Sequence, residues 1–268
     1  MRSKSFCFLV LIPTAVVLTA CSSGTDAGTT GQLSVRLTDA PNPIVQSATA
    51  YISTIYMIGG SDTTARRDTI SNTKQSFDLL LLTNGVTTAL GTATIKTGDY
   101  TQMRMIVDSA TLTLKAPLKF SDGTSSRTLQ TPSAQRTGIK VNFAGPVSVV
   151  PGETILIVDF DVLRNFVFTG PSTAPTGVLF KPVLHATVQN VAASIGGAVT
   201  PASSKATLYA ILNSDTVQTA LADTITGAYK LRFLPPGSYT VSAAGTGLAV
   251  TKTLTLRAAQ DTTGVNFP

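Results

Sequence analysis

Leu33, Val35 and Leu37 alternate with Gln32, Ser34, Arg36 and Thr38, and this period of two, not the 3.6-residue period of a helix, recurs along the chain. Successive side chains of a strand point to opposite faces, so such runs bury one face and wet the other. Turn signals cut the runs short: Asp39-Ala40-Pro41, Gly59-Gly60-Ser61-Asp62, Asn84-Gly85, Thr97-Gly98-Asp99, Asp108-Ser109, Pro151-Gly152 and Gly170-Pro171. Strands are expected at Ala48 to Ile58, Gln75 to Leu82, Thr88 to Lys96, Tyr100 to Val107 and Thr111 to Lys115. Further on they are expected at Gly138 to Phe143, Gly145 to Val150, Glu153 to Phe160, Asn165 to Thr169 and Val178 to Val188. The first two runs read as neighbouring strands, and no helix longer than two turns is expected. Strands at this spacing predict an all-β fold of the sandwich kind.

The pattern halts at Val188 and restarts at Ile195, which divides it into a unit of residues 31–190 and a unit of residues 194–268. In the second, Ala206 to Leu212 reads as a strand and Asn213 to Thr216 as a loop. Tyr229, Leu231 and Phe233 then alternate with Lys230 and Arg232, Pro235-Pro236-Gly237 turns the chain, and Tyr239, Val241 and Ala243 resume. This reads as a hairpin with its aromatic rings inward. The expectation is two β-sandwich domains in series.

What precedes residue 31 is of another kind. Arg2 and Lys4 are followed by thirteen mostly apolar residues, Phe6 to Leu18, and by Leu18-Thr19-Ala20-Cys21. The run is short of the roughly 20 apolar residues a membrane-spanning helix requires, and reads instead as an export signal over residues 1–20. Residues 21–30 add only small or polar side chains after Cys21, too little apolar surface to offset the entropy of ordering them, so a flexible tether is expected.

Removing residues 1–20 takes away Arg2 and Lys4 and leaves 18 basic against 14 acidic side chains, formally +4. No basic stripe interleaved with aromatics stands anywhere, so no nucleic-acid partner is expected. The two cysteines are Cys7, inside the signal, and Cys21; neither disulfide nor free thiol is expected in the folded part. His185 is the one histidine, and with no Gly-x-Ser-x-Gly the sequence offers neither a serine triad nor the usual zinc ligands. A packed or surface imidazole is expected there. Tryptophan is absent, which takes away the flattest platform for stacking sugars.

Three segments of the chain carry resemblances to known families. Leu18-Thr19-Ala20-Cys21 resembles the lipobox of bacterial lipoproteins; this implies acylation of Cys21, a membrane partner through that lipid (palmitate among its chains), and a cell-envelope location. With Ser22 after the cysteine, the outer membrane is implied over the inner. The segments Gly31 to Pro41, Asp78 to Gly85, Gly98-Asp99-Tyr100 with Gln102 and Arg104, Gly138 to Val141 and Leu156 to Asp161 resemble the landmarks of domain-of-unknown-function family 4382, which implies a fold but no activity. Gly227-x-Tyr229 followed by Pro235-Pro236-Gly237-x-Tyr239 is similar to the carboxypeptidase regulatory-like domain, a transthyretin-like seven-stranded sandwich. It implies an accessory or presentation module and no peptidase.

The candidate chemistry is acidic. Asp159 and Asp161, two apart in an expected strand, would project from one face, opposite Val158, Phe160 and Val162. With Asp39 they could offer oxygens to calcium, which takes six or more. The alternative is that Asp39 caps its own turn and that the pair is solvated or meets an arginine. No catalytic residue or bound cofactor is expected, calcium apart. The reading is thus a non-enzymatic envelope lipoprotein serving as a binding, adhesion or structural module toward a cell-surface polysaccharide or an envelope protein. The alternative is a calcium-dependent carbohydrate binder or carboxylate-based hydrolase built on Asp39, Asp159 and Asp161.

Overall fold

The computed structural model describes residues 30–60, 66–131 and 136–268. The expected signal and Cys21, with the tether up to residue 29, lie outside them. Within them the chain is all-β, built of several sheets packed on apolar cores.

The first unit runs through β1 (Thr30–Thr38), β2 (Val45–Gly59), β3 (Arg66–Ser71), β4 (Gln75–Asp78), β5 (Thr88–Lys96), β6 (Gly98–Leu114), β7 (Ser126–Gln130), β8 (Ile139–Phe143), β9 (Val147–Val149) and β10 (Glu153–Asp159). A hairpin of β11 (Phe166–Thr169) and β12 (Gly177–Phe180) precedes β13 (Leu184–Val188). One sheet runs in the order β3-β2-β6-β8-β13-β10-β1-β5, with β4, β7 and β9 attached at its sides. It bends far enough to bring its ends together: a Cβ on Gly91 of β5 would stand 2.9 Å from that of Ser71 in β3. The two layers so formed enclose the apolar residues of β1, β2, β6 and β10.

β1 does not neighbour β2; it lies between β10, parallel, and β5, antiparallel. Asp39 to Ile44 holds two prolines and no tight two-residue turn, so the chain crosses over instead of folding back. β1 is interior to the sheet, and its second face is covered in part: Ser34 and Thr38 are buried with the leucines, whereas Gln32 is exposed. Asp108-Ser109 is no turn. β6 passes through it as one strand whose register against β2 slips there, a bulge at which Ser53 donates to Asp108. The expected strand Val178 to Val188 is two, in different sheets.

The second unit comprises β14 (Ala193–Ala198), β15 (Thr207–Leu212), β16 (Asp215–Leu221), β17 (Ala228–Leu234), β18 (Gly237–Gly245), β19 (Leu248–Leu256) and β20 (Asp261–Thr262). Its sheets β17-β14-β20 and β16-β15-β18-β19 enclose a second apolar cluster running from Ala193 to Phe267. The expected loop at Asn213 to Thr216 is a two-residue hairpin turn, Asn213 and Ser214 both at positive φ, leading straight into β16. β17 and β18 are no hairpin. They pair in different sheets, and Pro235-Pro236, which lack backbone donors, carry the chain across the core. Tyr229 and Tyr239 do point inward, the latter donating to the Pro235 carbonyl at 2.7 Å. Phe233 does not: its φ is +56°, the register slips beside it, and Leu234 takes the core position instead. Among the described residues no helix is long and apolar enough to cross a membrane.

Candidate functional site

Parallel pairing of β1 with β10 brings Thr38 level with Asp159, so the chain leaves both strands at the same end. Asp39 and Asp161 therefore meet where the sheet stops. The Val162 amide donates to Asp39 Oδ1 at 2.8 Å. Asp161 is not in the strand as expected: at φ +49° it heads a helical turn, Val162–Asn165, and accepts from the Arg164 amide. It also accepts from the Thr219 hydroxyl of β16 at 3.1 Å, across the seam between the units. Asp39 thus caps a turn, but one 123 residues away in sequence instead of its own.

The three carboxylates are 4, 7 and 4 % exposed at Asp39, Asp159 and Asp161. Burial lifts all three above the usual carboxylate range, and mutual repulsion adds to this at Asp39 and Asp159. Asp161, where Arg164 and three donors oppose the effect of burial, is pushed up to about 6. Asp39 Oδ2 and Asp159 Oδ1 are buried without a hydrogen-bond partner.

The groups around this cluster come from places the sequence does not single out. Arg164 donates to the Thr216 carbonyl and lies 3.7 Å from Asp215. His185 stands opposite Asp159 in the β10/β13 ladder; its Nε2 is 3.4 Å from Asp215 Oδ2, a pair that attracts as charges only when the imidazole is protonated and that is not aligned as a hydrogen bond. Burial holds the imidazole below its ordinary pKa, Asp215 opposing and Arg164 assisting. A cavity of about 180 Å³ opens beside these groups, walled by Asp159, His185 and Phe143 of the first unit and by Leu212, Asp215 and Phe233 of the second.

The donor set does not make a calcium site. Asp39 and Asp161 spend oxygens on amides and a hydroxyl, and among the described residues no three His, Cys, Asp or Glu side chains are grouped so as to hold a metal ion. What the arrangement does is fasten: an acid, an arginine and a threonine tie β16 to the end of β10. Sequence reasoning missed β16 because two of its three buried residues, Gln218 and Thr219 beside Ala220, are polar and break the apolar alternation.

A pH dependence follows. An aspartate whose folded pKa is raised binds protons more readily folded than unfolded, so its contribution falls as pH rises from about 4 through the raised value. Asp39, Asp159 and Asp161 act in this sense; His185, with its lowered value, acts in the opposite sense below about 6.5. Asp159→Asn, which removes one buried charge, is expected to raise stability by about 1 to 2 kcal/mol at pH 7.5 and by nothing near pH 3, below the unfolded pKa. Thermal unfolding of both proteins at the two pH values measures it; an equal gain at both would mean that Asp159 carries no charge worth removing.

Residues 30–182 match the model of the family described as Domain of unknown function (DUF4382). No curated protein matches the chain. Among solved structures the Bacillus anthracis TIE protein aligns at 10 % identity and a TM-score of 0.23, covering 88 % of this chain. The chain spans about a third of that structure's length.

Proposed function

The chain belongs to the DUF4382 family, and from that premise we propose that it is a non-enzymatic lipoprotein of the bacterial cell envelope, two β-units held off the membrane by a lipid on Cys21. The observation that carries the non-enzymatic half is the use made of the acids. A carboxylate hydrolase needs paired carboxyl groups that meet substrate, whereas Asp39 and Asp161 are buried and bonded to amides and a hydroxyl. Their arrangement suits a joint between two modules better than a reaction centre. The second unit's seven strands and inward tyrosines support its reading as a carboxypeptidase regulatory-like presentation module, with an envelope protein or surface polysaccharide as partner. The lipobox resemblance supports the anchor, with the outer membrane favoured by Ser22.

The anchor has a direct test. Cells making the parent chain are expected to incorporate labelled palmitate into a protein whose first residue is Cys21. Cys21→Ser is expected to abolish the label completely and leave a precursor that keeps residues 1–20, seen by mass spectrometry. A mutant processed and released like the parent would remove the lipoprotein reading.

A further inference from the structure

We propose that the outer face of the first unit's sheet, where β3, β2, β6 and β8 lie side by side, binds an acidic polysaccharide of the polyuronate kind. The pairing registers set Tyr56 level with Arg104 and Arg104 level with Lys140, while Arg67 stands opposite Ile58, the next outward residue of β2. Met57, Met103 and Val141, which alternate with them, fill the core, so these side chains point outward. A strip of three cations thus crosses four strands, three interstrand spacings or about 14 Å. Exposed Arg136 stands beside it. The segment that Arg136 heads is held against the strip by Tyr56, which donates to the Thr137 carbonyl, and by Arg104, which donates to that of Gly138.

The strip is both uncompensated and fixed. Among the described residues none of the four cations has a carboxylate at ion-pair distance. In the rows around Tyr56 no outward residue is an Asp or Glu. Asp108, farther along β6, is held by Ser53 and Lys74, and Asp215, across the seam, by Arg164. Charges of one sign gathered in this way raise the local concentration of their counter-ions. Arg67 lies over the Tyr56 ring at 3.5 Å, which leaves that outward tyrosine only 9 % exposed, and Arg104 is oriented by Gln102 at 2.8 Å. Side chains already held in place lose less freedom when a ligand arrives.

Shape selects among polyanions. One strand beyond β8 the same face is overhung by the second unit, whose Asn213 and Asp215 wall the cavity together with Asn142 and His185. The strip therefore runs into a re-entrant corner, which a single polymer chain enters and a flat anionic bilayer does not. Single-stranded nucleic acid draws on aromatic faces for its bases to stack on, and the ring of Tyr56 is already covered by Arg67. A polyuronate carries one carboxylate per sugar, a repeat close to the spacing of neighbouring strands, and its planar carboxylates match arginine forks without any stacking platform.

Such a ligand is one class of the surface polysaccharide named above and rests on that reading for its location; palmitate labelling tests the anchor separately, so either can fail alone. The test is fluorescence-polarisation titration of the full chain, purified in detergent, with labelled oligogalacturonate. Binding is expected, weakening as salt is added, and the neutral methyl ester is expected to bind more weakly by about tenfold or more. Lys140→Glu and Arg67→Gln should each weaken oligogalacturonate by about tenfold, the former without moving the melting temperature, since Lys140 is exposed. Lys119→Glu, which makes the same charge change beyond the far end of β6, should leave the affinity unaltered. Absence of oligogalacturonate binding, equal affinity for the methyl ester, or equal losses in Lys140→Glu and Lys119→Glu would overturn the proposal. So would tighter binding of oligothymidylate, or displacement of the sugar by phosphatidylglycerol added to the micelles.

Discussion

Arg164→Met is expected to destabilise the protein by about 2 to 3 kcal/mol and to loosen the second unit from the first. Breaking a fully buried ion pair costs about 3 to 5 kcal/mol because the remaining charge is left uncompensated. Arg164 retains 30 % side-chain exposure, so water recovers part of that cost. Its removal leaves the Thr216 carbonyl without that donor and Asp161, Asp159 and Asp215 without their shared cation. Asp159→Asn should stabilise the Arg164→Met variant by at least about 1 kcal/mol more than it stabilises the parent, since it also removes the repulsion that the first change exposed. Denaturant unfolding of the four proteins of this cycle measures the coupling. If Asp159→Asn stabilises the Arg164→Met variant no more than it does the parent, Arg164 acts only through its contact with β16 and not through charge.

Tyr239→Ala should cost more, about 3 to 5 kcal/mol, and the cost should fall on the second unit. Tyr239 is 2 % exposed, sits in β18 between β15 and β19, and its hydroxyl ties the strand to the Pro235 carbonyl where the chain changes sheets. Truncation removes a buried ring and leaves that carbonyl without its donor. The second unit has about 75 residues and no disulfide, a size at which one core supplies only a few kcal/mol. Amide exchange over residues 194–268 should then rise toward that of an open chain while β1, β6 and β10 stay protected. Uniform loss of protection in both units would show that the seam makes them one cooperative body, and unchanged protection would contradict the core role of Tyr239.

The strands that sequence reading recovered best are those with one clean apolar face. β5 is found at Thr88–Lys96 as expected, and β1, β10 and β15 depart from their expected bounds by no more than a residue or two, because side-chain alternation is a local property of a pleated chain. Asp39, Asp159 and Asp161 were likewise legible as a group, since acids flanking apolar runs stand out in a chain with 13 % charged residues. Their use was not. That Asp161 leaves the strand depends on a positive φ, and that Asp39 caps Val162 depends on parallel pairing of residues 121 apart in sequence.

From the amino acids alone came the all-β class, the inward tyrosines and the lack of any cysteine chemistry in the folded part, each of which depends on residue type and near neighbours. Strand order, the seam and the cavity were decided by the tertiary structure. Which strand lies beside β1, or which side chain faces Asp159, is set by how distant segments close over a common core, and many closures are compatible with the same alternation. His185 shows the difference plainly: as one residue in a late strand it carries no message, and it becomes a wall of the cavity only because β13 runs beside β10 and β16 of the second unit docks against both.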